Sequence, residues 1–254
     1  MRESVVISRH LFYNVIMIYL SLGGFFACIV VLFFLAKAVI KNIFRFFYYL
    51  FGSKKPAIEG LSFLILPGTI IHELSHMFGA AIMGVPTGTL SFRPEVEESK
   101  EVRIGQIKVA KTDPFRRTII GLAPLVVGLL IIGGIFIFYL EKKIWPIEQL
   151  FDYSLWEYFL LAVVCWLLVV VSLTMFSSRK DLDAAIVPAI FLTALILIFW
   201  LAGFRLTAPK KLIDLGDNLL ISMDKALALA IVLSLGALLF FKSLNSVFRK
   251  ILGR

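Results

Sequence analysis

What this 254-residue chain has little of narrows the field before any motif is read. Charged residues make up only 17% of it, against 60% hydrophobic residues and a mean hydropathy of +0.94. Soluble domains hold roughly 45–50% apolar and about 25% charged residues, so a water-soluble globular fold is excluded. There are two cysteines, Cys28 and Cys165, and both fall inside apolar runs. No disulfide framework can be built from them, and each is expected as a small core residue. No small-x-small cleavage sequence follows the first apolar run, which is longer than a signal-peptide core, so that run is expected to stay as a helix of the mature protein. No nucleic-acid motif accompanies the net charge of +9. Nucleic acid is therefore not an expected partner, and the excess of Lys and Arg is assigned to anionic lipid headgroups.

Long apolar runs are what the chain has in abundance. They lie near residues 11–36, 61–84, 118–140, 155–176, 184–203 and 218–241, each close to the ~20 residues that span a bilayer. The expected fold is an all-α polytopic membrane protein of about six transmembrane helices. Between the first two runs, "KNIFRFFYYLFGSKK" (41–55) mixes aromatics with Lys and Arg and reads as an interfacial segment. Three regions follow: residues 1–60 with the first helix and interfacial segment, a membrane core over 61–203, and 204–254 with the last helix and a basic tail. Six alternating spans would leave 15 Lys and Arg on the side of the N-terminus and 10 on the other. By the positive-inside rule both termini are then expected in the cytoplasm, in a cell membrane.

One segment departs from the helical pattern. Between the second and third runs, "GTLSFRP" and "EVRIGQIKVAK" alternate apolar and polar residues around the acidic "EVEES". This predicts a small β-hairpin near 88–111. Val102 and Ile104 share one face while Ile107 and Val109 share the other, a phase slip that predicts a bulge at Gly105-Gln106.

The second run, "LPGTIIHELSHMFGAAIMG" (66–84), carries two histidines and a glutamate where a polar group without a partner costs several kcal/mol. His72 and His76 stand four apart, so a helix projects them from one face a turn apart, the spacing at which two imidazoles bind one zinc ion. Glu73 lies beside the first. A carboxylate there reaches the water rather than the metal and can act as general base. With 3 His and 10 Glu in the chain, an H-E-x-x-H arises by chance on the order of once in a thousand such sequences. The structural alternative is a pair of helix-packing histidines, which does not need Glu73 between them.

Catalytic zinc usually takes a third protein ligand. The second run is expected to travel toward the cytoplasm and the fifth to enter from it, so Asp181 and Asp183 in "MFSSRKDLDAAIVPAI" can approach the metal. Glu141, Glu148, Asp152 and Glu157 belong to the far side.

These residues together resemble the site-2 protease type of intramembrane zinc metalloprotease. The membrane-embedded "HELSH", the polar segment after it, the helix with "GLAPLVVG" and the aspartate opening a later helix carry the resemblance, over roughly residues 60–200. It implies a third ligand in a Leu-Asp-Gly motif or the looser Ser-x-x-Asp. "SRKD" (178–181) fits the looser form and "LDAA" (182–185) the stricter one with alanine for glycine, which makes Asp181 the expected ligand and Asp183 its competitor. The implied activity is hydrolysis of a peptide bond in or near the spanning segment of a membrane-protein substrate, with His72, His76 and Asp181 on zinc and Glu73 activating water. A strand near the site would hold the unwound substrate backbone; the structural alternative is a hairpin that only caps the helices at the membrane surface. The chain departs from the family's Gly-Pro-x-x-Asn by keeping Pro124 but placing Val127 where the asparagine would stand. Thr174, Ser177 and Ser178 are substitutes for that oxyanion donor by position only, and Thr69, Ser75 and the Ser177-Ser178 pair are candidates for lining a water path. Two other readings use the same helix: a membrane zinc protease with Glu as third ligand, for which no well-placed Glu is present, and a non-proteolytic zinc carrier or substrate-binding scaffold.

Overall fold

The computed structural model describes residues 2–91, 95–96, 102–103, 106–110, 112–144, 153–176, 194–195, 198–199 and 210–252. Its elements run α1 (Arg2–Phe51), α2 (Lys54–Ile82), four short strands β1 (Thr87–Ser91), β2 (Glu95–Val96), β3 (Val102–Arg103) and β4 (Gln106–Val109), then α3 (Pro114–Ile135), a π-helical turn over Phe136–Leu140, α4 (Glu141–Ile144), α5 (Leu155–Thr174) and α6 (Lys210–Ile251). Five stretches are long and apolar enough to cross a membrane: Gly23–Phe51, Lys54–Ile82, Pro114–Lys143, Leu155–Thr174 and Leu215–Ile251. A mostly helical chain with the character of a multi-pass membrane protein follows. The fifth expected span, 184–203, lies outside the described residues apart from helical residues 194–195 and 198–199.

Residues 41–51 correct one expectation. They are not a separate interfacial segment but the last three turns of α1, which Gly52 ends by adopting a left-handed φ of 70°. The reason is aromatic packing. Phe46 meets Phe241 and Phe248 of α6 edge-on, with ring centroids 5.6 and 5.7 Å apart, and Phe44 and Phe47 pack against a core of Leu35, Val39, Ile43, Leu61 and Ile65. Burying these rings against neighbouring helices favours continuing the helix through them.

Local signals account for the starts of α3 and α5. Asp113 accepts a hydrogen bond from the backbone N–H of Arg116 at 3.0 Å, with Pro114 in the first turn of α3; that bond holds the Asp113 carboxyl below the usual carboxylate range. Ser154 and Glu157 form a capping box at the start of α5, and Glu157 also pairs with Lys143 at 3.1 Å. The strands pair in two antiparallel ladders, β1 with β4 and β2 with β3. The register shift falls between Thr87 and Leu90, so the irregularity is in β1; the expected bulge position at Gly105 lies outside the described residues.

α1 and α6 pack side by side and run parallel. Gly24 lies against Asp224, Asn245 donates its amide to the Asn42 carbonyl at 3.0 Å, and Phe46 reaches Phe248. Both sequences therefore advance in the same direction. α2 runs the other way, with Gly60 against Phe47 and Leu61 and Ile65 against Leu35 and Val39. Six alternating spans would make the first and last antiparallel, whereas α1 and α6 run parallel in the structure. If α1 and α6 each cross once, reporter tags at the two ends of the chain will be accessible from opposite faces of sealed vesicles. Equal accessibility of both tags from one face would refute the parallel arrangement.

Candidate functional site

α2 is the helix that the rest encloses. Its buried stripe contains Leu61, Ile65, Gly68, Thr69, His72, Ser75, His76, Gly79 and Ala80, spaced three and four apart, while Phe63, Leu74, Phe78 and Ile82 face outward. Glycines set the closeness of packing. A Cβ on Gly68 would meet Val170 and Thr174 of α5, and one on Gly79 would lie 2.9 Å from the Ala123 Cβ and 3.3 Å from the Ile120 Cα of α3. Small residues at these positions bring the backbones together, the usual means of joining helices where lipid supplies no hydrophobic drive.

The expected metal residues lie in this enclosed stretch. His72, Glu73 and His76 are 4%, 7% and 9% exposed. The two imidazole rings sit nearly perpendicular, with centroids 4.8 Å apart, and their Nε2 atoms are separated by 3.2 Å. At a Zn–N length of about 2.05 Å, that separation corresponds to an angle of about 103° at a shared ion, near the tetrahedral value. The other nitrogen of His76, Nδ1, lies 2.8 Å from the Ile120 carbonyl oxygen on α3. A carbonyl only accepts, so this contact calls for the proton on Nδ1, which in the neutral ring leaves the Nε2 lone pair as the acceptor. An outer hydrogen bond of this kind is what orients a metal-binding imidazole. The same lone pair can accept an N–H from His72 when no ion is present. The two rings thus have the nitrogen separation and, at His76, the tautomer that binding one ion between them would require.

Among the described residues, no group of three or more His, Cys, Asp or Glu gathers at one point. Asp181 and Asp183, the expected third ligand and its competitor, lie outside the described residues, as do Ser177 and Ser178. Glu157 is engaged in its capping box and with Lys143.

Of the hydroxyls expected along a water path, the two among the described residues bond within their own helix. Thr69 donates to the Ile65 carbonyl at 3.2 Å and Ser75 to the Ile71 carbonyl at 2.6 Å, each within its own helix. Thr174, a positional substitute for the oxyanion donor, bonds to the Val170 and Val171 carbonyls at 3.0 and 3.3 Å. It packs against Gly68, one turn before His72. The strand segment does reach the site's edge: Val109 of β4 packs with Ala80, Val85 and Ile120.

Ile120 is the site residue that motif reading passed over, because its contribution is a backbone oxygen. Its contact with α2 also generates a stability prediction. Gly79→Ala should destabilise the protein in detergent by roughly 1–3 kcal/mol through overpacking against α3. Gly134→Ala, at a helical position with nothing near the added carbon, should instead be neutral or gain up to about 1 kcal/mol from helix propensity. Thermal unfolding of both variants checks the opposite signs. No family model, curated protein or solved structure matches the chain.

Proposed function

We propose that this protein is an intramembrane zinc endopeptidase of the site-2 protease type, cutting a peptide bond in or near the spanning segment of a membrane-protein substrate. The observation that carries the reading is the pair of buried imidazoles on α2 with Nε2 atoms 3.2 Å apart and Glu73 between them in sequence. A polar cluster of this cost inside an apolar bundle is a functional site by default. A hairpin over residues 88–111 completes the proposed architecture.

His72, His76 and Asp181 would hold the zinc, which when bound supplies Lewis acidity and brings the pKa of water toward about 7. The chain's own residues do the rest. Glu73 lies one position on from His72, about 100° around the helix, so it stands apart from the shared ligand face. Its carboxylate takes a proton from the attacking water as the oxygen bonds to the carbonyl carbon, and returns it to the amine nitrogen as the C–N bond breaks. Burial of Glu73 limits the water that reaches this carboxylate. A helical substrate hides its carbonyls in hydrogen bonds and must unwind before it can react. The open edge of the β1 and β4 ladder, anchored at Val109 beside Ile120, is the proposed place where an extended substrate strand pairs.

Purified protein should carry about one zinc per chain, with His72→Ala and His76→Ala each removing it, as metal analysis would show. Zinc retained at full stoichiometry in the double variant would exclude the site. Asp181→Ala should lower occupancy more than Asp183→Ala; the reverse order would assign the ligand to Asp183. Glu73→Gln should fold and keep its zinc while cleavage of single-span substrates in liposomes falls by about 10²–10⁴-fold, the usual cost of losing a general base. A wild-type protein that binds zinc and cuts none of a broad panel would favour the carrier or scaffold reading.

A further inference from the structure

The hydrogen bond from His76 to the Ile120 carbonyl raises the question of why that oxygen is available inside a helix. In α3 each carbonyl normally accepts from the N–H four residues on. Four residues after Ile120 stands Pro124, inside α3 and buried, and proline has no N–H to give. The Ile120 oxygen is thereby freed where the chain is enclosed, and a buried carbonyl without a donor costs about 1–3 kcal/mol. The His76 ring, 2.8 Å away, supplies the missing donor. Gly79 makes the reach possible, since the Ile120 backbone lies close against it, one turn beyond Ser75 and His76.

We infer that Pro124 is a positioning residue for the metal-binding histidine: by withholding an N–H from α3 it reserves the Ile120 carbonyl for His76 and fixes that ring in the Nδ1–H tautomer, with Nε2 toward His72. The inference deepens the zinc reading and rests on it for its consequence, but the tautomer itself needs no metal. Any other residue at position 124 would offer its own N–H to the Ile120 oxygen and compete with the ring. His76 could then carry its proton on Nε2, the atom that must be bare to bind an ion. The feature is local and chemical, distinct from the bend that a proline also imposes.

The test separates the missing N–H from the ring shape. Pro124→Ala restores the donor. Lactic acid placed at position 124 by nonsense suppression has the shape of alanine but an ester oxygen instead of the N–H, as donor-free as proline. Two readouts apply to the full-length protein in detergent. The first is ¹⁵N NMR of the metal-free protein labelled at its three histidines, which reports the ring nitrogen that bears hydrogen. The second is zinc affinity by competition with a chelator of known strength. The expected result is an Nδ1–H His76 in wild type, a shift toward Nε2–H in Pro124→Ala with zinc bound about 10–100-fold more weakly, and return of both properties toward wild type in the ester. An Nε2–H His76 in the wild-type protein would overturn the inference. So would alanine and ester variants that behave alike, since the proline would then act through its shape. A wild-type protein that follows the tautomer pattern but binds no zinc would overturn the metal reading and leave the role of Pro124 supported.

Discussion

The bond between the His76 ring and the Ile120 carbonyl is where α2 and α3 answer each other's requirements. One helix brings a ring that needs its tautomer fixed, and the other brings an oxygen that its own proline has left without a donor. Neither need could be met by water in an apolar interior, where every polar group must find a protein partner. The contact therefore sets the depth at which the two helices meet. The small faces of Gly79 and Ala123, and Val109 at the edge of the strand segment, are arranged around that depth.

The same constraint is visible in the other buried polar groups. Ser62, Thr69, Ser75 and Thr174 turn their hydroxyls back to carbonyls of their own helices, while Ser172 also meets Ser234 and Asn245 meets Asn42 between helices. Meanwhile large apolar side chains such as Phe63, Phe138, Leu155 and Leu239 face outward. In water that distribution would be a liability. In lipid the outward face costs nothing, and association depends on close backbone approach and on satisfied polar pairs.

The site follows from this architecture rather than from any one motif. H-E-x-x-H supplies two imidazoles a turn apart on any helix, but rotamer and tautomer are free until a neighbour restricts them. Packing by α3 restricts His76, and packing by α5 at Gly68 closes the turn before His72. A ring so held needs little further ordering to act, which is the advantage of a site built on rigid elements.

The membrane character, the helical class and the pairing of two histidines a turn apart were legible in the sequence because they are local or compositional. Apolar runs of spanning length, the i, i+4 spacing of His72 and His76 and the Ser154-x-x-Glu157 cap each lie within a few turns of one segment. Three things were decided only in the folded chain. Residues 41–51 joined α1 because Phe241 and Phe248, some two hundred positions away, bury their aromatic rings. The parallel course of α1 and α6 depends on which faces pair, and composition cannot state that. The Ile120 acceptor is a backbone oxygen, carried by every residue type, so no side-chain pattern could mark it. Pro124 announced that a carbonyl four residues earlier would lack its donor, but only tertiary packing could decide that the replacement was a histidine ring from α2, because the distance between two helices is not encoded in either one.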